Sequence, residues 1–146
     1  MTNSPVTPEA AGPVEASTLA VRPGEDPWTE EELAEVTSEL REHRDELRAR
    51  LAAQEVELVG LMRDSGDGAG PDQADLGAAT FERDQEIAMV TTEREALAQI
   101  EHTLDRVVDG SFGVCESCGE AIGKMRVMAF PRATLCLSCK QREERR

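Results

Sequence analysis

Aromatic side chains are scarce in this sequence, which has one Trp, three Phe and no Tyr among 146 residues. Only 39% of the residues are hydrophobic and 32% are charged, a balance that favours long solvated helices over a thick globular core. There is no run of about 18 apolar residues, which excludes a membrane-spanning helix. The N-terminus also lacks the basic and then apolar pattern of a signal peptide. We therefore expect a cytoplasmic protein.

Positive charge is also in short supply. The chain carries 30 acidic and 16 basic residues, which gives a net charge of −14. Because phosphate groups repel such a chain, a general nucleic-acid binder is not expected. The exception is segment 110–146, in which basic residues outnumber acidic ones.

Segment 1–27 holds five of the seven prolines and offers little apolar surface for burial. Proline interrupts helices, and a segment that buries little cannot offset the entropy lost on folding. The segment is therefore predicted to be a disordered acidic tail.

A long helix is predicted to follow this tail. Thr29 and Glu32 have the spacing of a capping box, although Asp26 followed by Pro27 is an alternative start. Apolar residues then recur at intervals of three, four and seven, which places them on one face of a helix. They are Leu33, Val36, Leu40, Leu47, Leu51, Leu58 and Leu61.

A second long helix is predicted from Gln73 to Asp109, after a turn rich in glycine. Its apolar residues repeat in the same way, at Phe81, Ile87, Val90, Leu97, Ile100, Leu104 and Val107. Two such faces can bury only each other. Segment 28–109 is therefore predicted to form an antiparallel coiled-coil hairpin with its tip at 64–77.

The four cysteines form two Cys-x-x-Cys pairs that are separated by 17 residues: Cys115, Cys118, Cys136 and Cys139. Four thiolates at this spacing suit one tetrahedral Zn²⁺ ion and leave no open coordination position, so a structural zinc site is expected. The predicted fold is mainly α, with a long antiparallel hairpin followed by a small zinc-finger module over 110–146 that ends in a short helix.

Two acidic residues, Asp72 and Asp75, follow Pro71 at the predicted tip. At a spacing of three they share one face if the segment is helical. One interpretation is that they cap the second helix. The other is that they form a charged probe at the end of the hairpin, and both interpretations can hold together.

Two runs around the cysteines, FGVCESCGEAIG at 112–123 and AFPRATLCLSCK at 129–140, complete this pattern. Together with the hairpin and its Asp-x-x-Asp tip, they resemble the DksA/TraR family of bacterial RNA polymerase regulators over about residues 28–146. The resemblance implies a monomeric regulator, not an enzyme. Its coiled coil is expected to enter the secondary channel of RNA polymerase, where Asp72 and Asp75 modulate open-complex stability and initiation. The zinc module and C-terminal helix are expected to dock on the channel rim.

Members of this family often act with guanosine tetraphosphate, the alarmone of the stringent response. Lys140 matches one of the family's basic residues and is a candidate contact with the polymerase rim or the alarmone. Gln99 and Phe130 stand where a Lys and an Arg are expected, so weak or absent synergy with the alarmone is predicted. Gly77 replaces the Ala of the tip pattern and loosens the helix by about 1 kcal/mol.

Two other classes of function stay open. One is a zinc-finger DNA-binding protein, suggested by the basic residues near the C-terminus: Lys140, Arg142, Arg145 and Arg146. Cations that favour the C-terminal dipole of a helix are a simpler explanation for them. The other is a thiol-based redox-sensing regulator that releases zinc on oxidation. The sequence contains no nucleophile and base signature or phosphate loop of an enzyme.

Overall fold

The computed structural model describes residues 14–64 and 73–146. A short 3-10 turn at Ala16–Thr18 is followed by four helices, which are α1 (Glu30–Asp64), α2 (Gln73–Asp109), α3 (Lys124–Ala129) and α4 (Leu137–Glu144). The only extended pairing in these ranges is an isolated antiparallel bridge between Val114 and Ala121. The predicted mainly α fold is therefore confirmed. None of the described helices has an apolar stretch long enough to span a membrane.

The described residues form two compact units. The first joins the chain up to Ser38 to the chain from His102 onward, and the second is Glu39–Glu101. These units cut across the predicted segments 28–109 and 110–146, because the first turns of α1 and the last turns of α2 are part of the first unit.

The start of α1 follows the capping box that the sequence predicts. The backbone amide of Glu32 donates to the Thr29 hydroxyl at 3.1 Å, and the Thr29 amide donates to the Glu32 carboxylate at 3.4 Å. Three acidic residues occupy the first turn, Glu30, Glu31 and Glu32, where the helix dipole favours negative charge. Local sequence alone thus fixes where this helix begins.

The second unit is an antiparallel helical hairpin. Its buried apolar residues are Leu40, Leu47 and Leu51 of α1 and Val90 and Ile100 of α2. Ion pairs join the two helices on the outside, namely Arg48–Glu101 at 2.8 Å, Arg50–Glu93 at 3.4 Å and Arg94–Glu55 at 2.6 Å. Arg48 pairs with residue 101, whereas the later residues Arg50 and Glu55 pair with the earlier residues 93 and 94, as expected for an antiparallel pair.

The predicted apolar faces are not buried along their whole length. Phe81 is 64% exposed, Ile87 is 38% exposed and Leu61 is 37% exposed. The expectation that these three side chains lie in the hairpin core is therefore wrong. Two helices that pack only on each other shield just a narrow strip of each surface from water.

The prediction of a disordered tail is wrong for residues 14–27, whereas residues 1–13 lie outside the described residues. Ala16 and Leu19 are only 0% and 3% exposed. The backbone amide of Ala16 donates to the Glu30 carboxylate at 3.0 Å, and the Glu25 carboxylate accepts from the amide of Lys124 at 3.0 Å. The segment has few apolar residues, but it is stabilised by partners that are remote in sequence, which composition alone does not reveal.

Candidate metal centre

The four cysteines converge on one point. Their Sγ atoms all lie within 4.8 Å of one another, and they form the only group of three or more candidate metal ligands in the described part of the chain. The Sγ atoms of Cys118 and Cys136 are 3.9 Å apart, close to the roughly 3.8 Å that a tetrahedron with Zn–S bonds near 2.3 Å requires. None of the four forms a disulfide. The site therefore fits a zinc ion.

The first Cys-x-x-Cys pair lies in a tight loop that is closed by backbone hydrogen bonds. The amide of Cys115 donates to the carbonyl of Glu120 at 2.7 Å, and the amide of Gly119 donates to the carbonyl of Cys115 at 3.0 Å. Just outside the loop lies the bridge between Val114 and Ala121. Backbone hydrogen bonds therefore fix the position of Cys115 in this loop.

The second pair lies at the start of α4. Cys136 is the N-cap residue of this helix, and Cys139 lies in its first turn. The two pairs are tied together by the amide of Glu116, which donates to the carbonyl of Thr134 at 2.9 Å. A loop and a helix start therefore supply two ligands each.

Hydrogen bonding makes the thiols chemically unequal. Burial acts to raise the pKa of Cys115, but hydrogen bonds from the backbone amides of Cys136, Cys118 and Ser117 outweigh it and lower the pKa to about 6. A hydrogen bond with Ser117 acts to lower the pKa of Cys139, yet the neighbouring thiols and burial raise it to about 11. Four thiols so close together cannot all ionise near neutral pH unless a cation compensates their charge.

Charged side chains of α2 support the first loop from outside. The Glu116 carboxylate, between the two cysteines of the first pair, contacts the His102 ring and lies 3.5 Å from the Arg106 guanidinium. Arg106 is only 6% exposed and also donates to the carbonyls of Ser111, at 2.7 Å, and Val114. This cluster has no signature in the sequence, because His102 and Glu116 are 14 residues apart and belong to different elements.

The remaining predicted site residues lie elsewhere. Asp72 lies outside the described residues, and Asp75 is described only as a backbone position in the first turn of α2. Their roles as caps or as a probe stay predictions. Lys140 is exposed on α4, where its ammonium group lies 3.4 Å from the Glu143 carboxylate. Gly77 lies in α2, and a Cβ added there would meet nothing within 4 Å.

Comparison with known proteins agrees with this geometry. Residues 110–145 match the family described as the prokaryotic dksA/traR C4-type zinc finger. The RNA polymerase-binding transcription factor DksA of Escherichia coli (strain K12) is 38% identical over 119 residues, which cover 82% of this chain and 76% of that protein. The factor of the same name from Caulobacter vibrioides (strain NA1000 / CB15N) is 39% identical over 75 residues, which cover 51% of this chain and 53% of that protein.

A solved structure is also similar. It is the transcription factor DksA2 from Pseudomonas aeruginosa, with a TM-score of 0.63 and 32% sequence identity, and the match covers 80% of this chain and 85% of that one. The Escherichia coli relative thus matches over most of both chains, and the finger model matches the segment in which the four thiols converge. On this evidence the chain belongs to the DksA/TraR family.

Proposed function

We propose that this protein is a transcription regulator that binds RNA polymerase directly. The main support is that the match to a relative named as an RNA polymerase-binding transcription factor covers 82% of this chain, too much to be confined to the finger. The net charge of −14 also favours a protein partner over nucleic acid. Such a regulator acts in the cytoplasm and catalyses no reaction.

In this proposal the cysteine centre is structural and holds one Zn²⁺ ion. Four thiolates fill a tetrahedral site, so no position is left for a substrate or water. The ion would stabilise the folded module, and protein side chains would make the contacts with polymerase. Exposed cations on and after α4 are available for docking on the channel rim, namely Arg142, Arg145 and Arg146.

The hairpin is the part that we propose enters the secondary channel. The described residues of the range 39–101 form two helices, and the outer surface carries charged pairs such as Arg48–Glu101 and Arg94–Glu55. A solvated two-helix hairpin suits a narrow, water-filled pore. Its tip would present Asp72 and Asp75 to the catalytic centre, where they alter open-complex stability and initiation.

The first test is the lifetime of open complexes of the cognate RNA polymerase at a ribosomal RNA promoter. Asn is as good an N-cap residue as Asp, so Asp72→Asn removes the charge and keeps the N-cap, and Asp75→Asn removes the second charge. We expect the native protein to shorten the lifetime and the double variant to leave it unchanged, with equal helicity and zinc content in both.

A matched control is Glu82→Gln with Asp84→Asn, which removes the same charge from exposed positions on α2. This control should act like the native protein. If the tip variant also shortens the lifetime, the two aspartates are only caps. If the native protein neither alters the lifetime nor binds polymerase, and shifts promoter DNA by itself in a gel, the DNA-binding alternative replaces the proposal.

Weak or absent synergy with guanosine tetraphosphate belongs to the same proposal. Phe130 is 62% exposed and supplies no charge for a phosphate, and Lys140 already has an acidic neighbour in Glu143. Adding the alarmone to the same assay should change the open-complex lifetime little beyond its effect on polymerase alone. A large additional effect would contradict this part.

A further inference from the structure

The segment at residues 14–28, which we call the strap, lies against the zinc module. We propose that the strap is a working part of this module, because it holds α3 in place and thereby slows the release of zinc. The strap lies outside the residues matched by the zinc-finger model, which are 110–145. Four separate sets of contacts support the proposal.

Buried apolar side chains anchor both ends of the strap. Ala16 and Leu19 are 0% and 3% exposed near its start, and Trp28 is 2% exposed at its end. The ring of Trp28 packs on Phe112 with 5.6 Å between the ring centroids. Phe112 comes three residues before the first zinc ligand, Cys115. The strap therefore shares its core with the chain that leads into the metal site.

The middle of the strap caps α3. The N-cap residue of α3 is Gly123, which has no side chain that could satisfy the free amides of the first turn. The Glu25 carboxylate does so instead, accepting from the amide of Lys124 at 3.0 Å and from that of Met125 at 3.3 Å. Hydrogen bonds from the amides of Lys124 and Arg22 lower the pKa of Glu25, which favours the ionised carboxylate that accepts from the amides of α3.

The side chain of Lys124, at the start of α3, contacts the strap and the first turn of α1. It is 9% exposed, and its Nζ atom lies 2.5 Å from the Glu32 carboxylate and 3.2 Å from the carbonyl of Pro27. The same ammonium group lies 5.7 Å from the centre of the Trp28 ring. Glu32 belongs to the first turn of α1, whereas the Pro27 carbonyl and the Trp28 ring belong to the strap. Loss of the strap would therefore remove two of these three contacts from a buried cation and keep only its ion pair with Glu32.

The strap also packs closely against the backbone at two glycines, Gly113 and Gly123. A Cβ added at Gly113 would lie 3.2 Å from the carbonyl oxygen of Ala20, and one at Gly123 would lie 3.1 Å from the Arg22 side chain. Both glycines have positive φ, +89° and +114°, so any other residue would also strain the backbone. Gly113 accepts a hydrogen bond from the amide of Ile122 at 2.8 Å, which closes the loop that holds Cys115.

Zinc leaves a four-thiolate site only when one of the ligand loops opens. The loop from Gly113 to Ile122 is held by the strap on one side, and α3 begins directly after it. The strap lies against both ends of this loop, at Gly113 and at Gly123, so we expect opening of the loop to disturb the strap contacts. The proposal does not depend on polymerase, so its failure and that of the proposed function are distinguishable.

The test measures the first-order transfer of zinc from the loaded full-length protein to an excess of a chelating dye. We expect Glu25→Ala to release zinc about fivefold faster, the effect of losing one helix cap. Glu25→Gln keeps one acceptor oxygen, and its rate of zinc release should lie between those of the native protein and Glu25→Ala. Glu31→Gln is the matched control, because Glu31 is exposed and this substitution removes the same charge as Glu25→Gln. The Glu31→Gln variant should release zinc at the native rate. A native rate in Glu25→Ala overturns the proposal.

Amide hydrogen exchange of the zinc-loaded protein gives a second readout that does not require the Ala variant to fold. The amides of Lys124 and Met125 should be protected in the native protein and in Glu31→Gln, and should exchange faster in Glu25→Gln. If these two amides exchange freely in the native protein, the strap does not cap α3 and the proposal is wrong.

Discussion

Buried charges in the first unit are surrounded by partners of opposite sign or by carbonyl oxygens. Lys124 has Glu32 and the carbonyl of Pro27, and Arg106 has Glu116 and the carbonyls of two loop residues. A charge taken out of water destabilises the fold unless its partners are in place. These two side chains therefore make the first unit sensitive to the loss of any one partner.

Acid should weaken the contact between Glu25 and α3. Hydrogen bonding to the amides of Lys124 and Arg22 lowers the pKa of Glu25 below that of an unfolded glutamate. A lowered folded pKa contributes stability that is present above the unfolded pKa, about 4.3, and is lost as the pH falls through the folded pKa. The difference in unfolding free energy between the native protein and Glu25→Gln should therefore be largest near neutral pH and shrink in acid.

Zn²⁺ is kept in excess at every pH, so that the difference between native and variant protein, measured by denaturant unfolding, reports the Glu25 carboxylate and not an unequal loss of zinc. Glu31→Gln should show no such pH-dependent difference. A difference that grows as the pH falls would contradict the assignment.

At the scale of elements, the two long helices bury their faces unevenly. Ile100 is fully buried in the hairpin, whereas Phe81 on the same helix is 64% exposed. The regular spacing of apolar residues predicts both to lie in the core. Periodicity reports which residues share a face, but not how wide the strip is that the partner helix covers.

Truncation of these two side chains should lower the unfolding free energy by different amounts, because one is buried and the other is exposed. Ile100→Ala leaves a cavity and should lower the unfolding free energy of the hairpin by about 3 kcal/mol. Phe81→Ala, though it removes a larger side chain, should cost less than about 0.5 kcal/mol, as is usual at exposed positions. Denaturant unfolding followed by circular dichroism measures both. An equal loss in the two variants would mean that Phe81 is buried in solution.

The sequence predicts well those features whose partners are close along the chain. The capping box of Thr29 and Glu32 spans three residues, and each Cys-x-x-Cys pair is read directly from its spacing. The strap was missed because Glu25 and Lys124 are 99 residues apart. The contact of His102 with Glu116 was missed for a similar reason, since it requires the end of α2 to meet the first cysteine loop.

At the scale of the whole molecule, the metal belongs to one of two compact units. The cysteines lie in the first unit, and the second unit, Glu39–Glu101, contains none of them. Binding of a structural zinc ion is coupled to the folding of the module around it. Loss of the ion should therefore affect the two units differently.

Removal of zinc with a strong chelator should abolish the amide protection of residues 110–139 and of the strap. The amides of the hairpin core around Leu47, Leu51 and Val90 should stay protected, because their contacts are within the second unit. Hydrogen exchange with and without chelator, with readdition of zinc as the control, makes this comparison. Uniform loss of protection would show that the two units fold as one.

The strap has a further consequence for the order in which the protein forms on the ribosome. The first unit is built from two stretches of chain separated by the whole hairpin, whereas the hairpin closes contacts only 39 to 53 residues apart. Short loops close sooner than long ones. The hairpin can therefore pair while Glu25 still awaits the synthesis of Lys124, and uptake of zinc is a late step in the maturation of the chain.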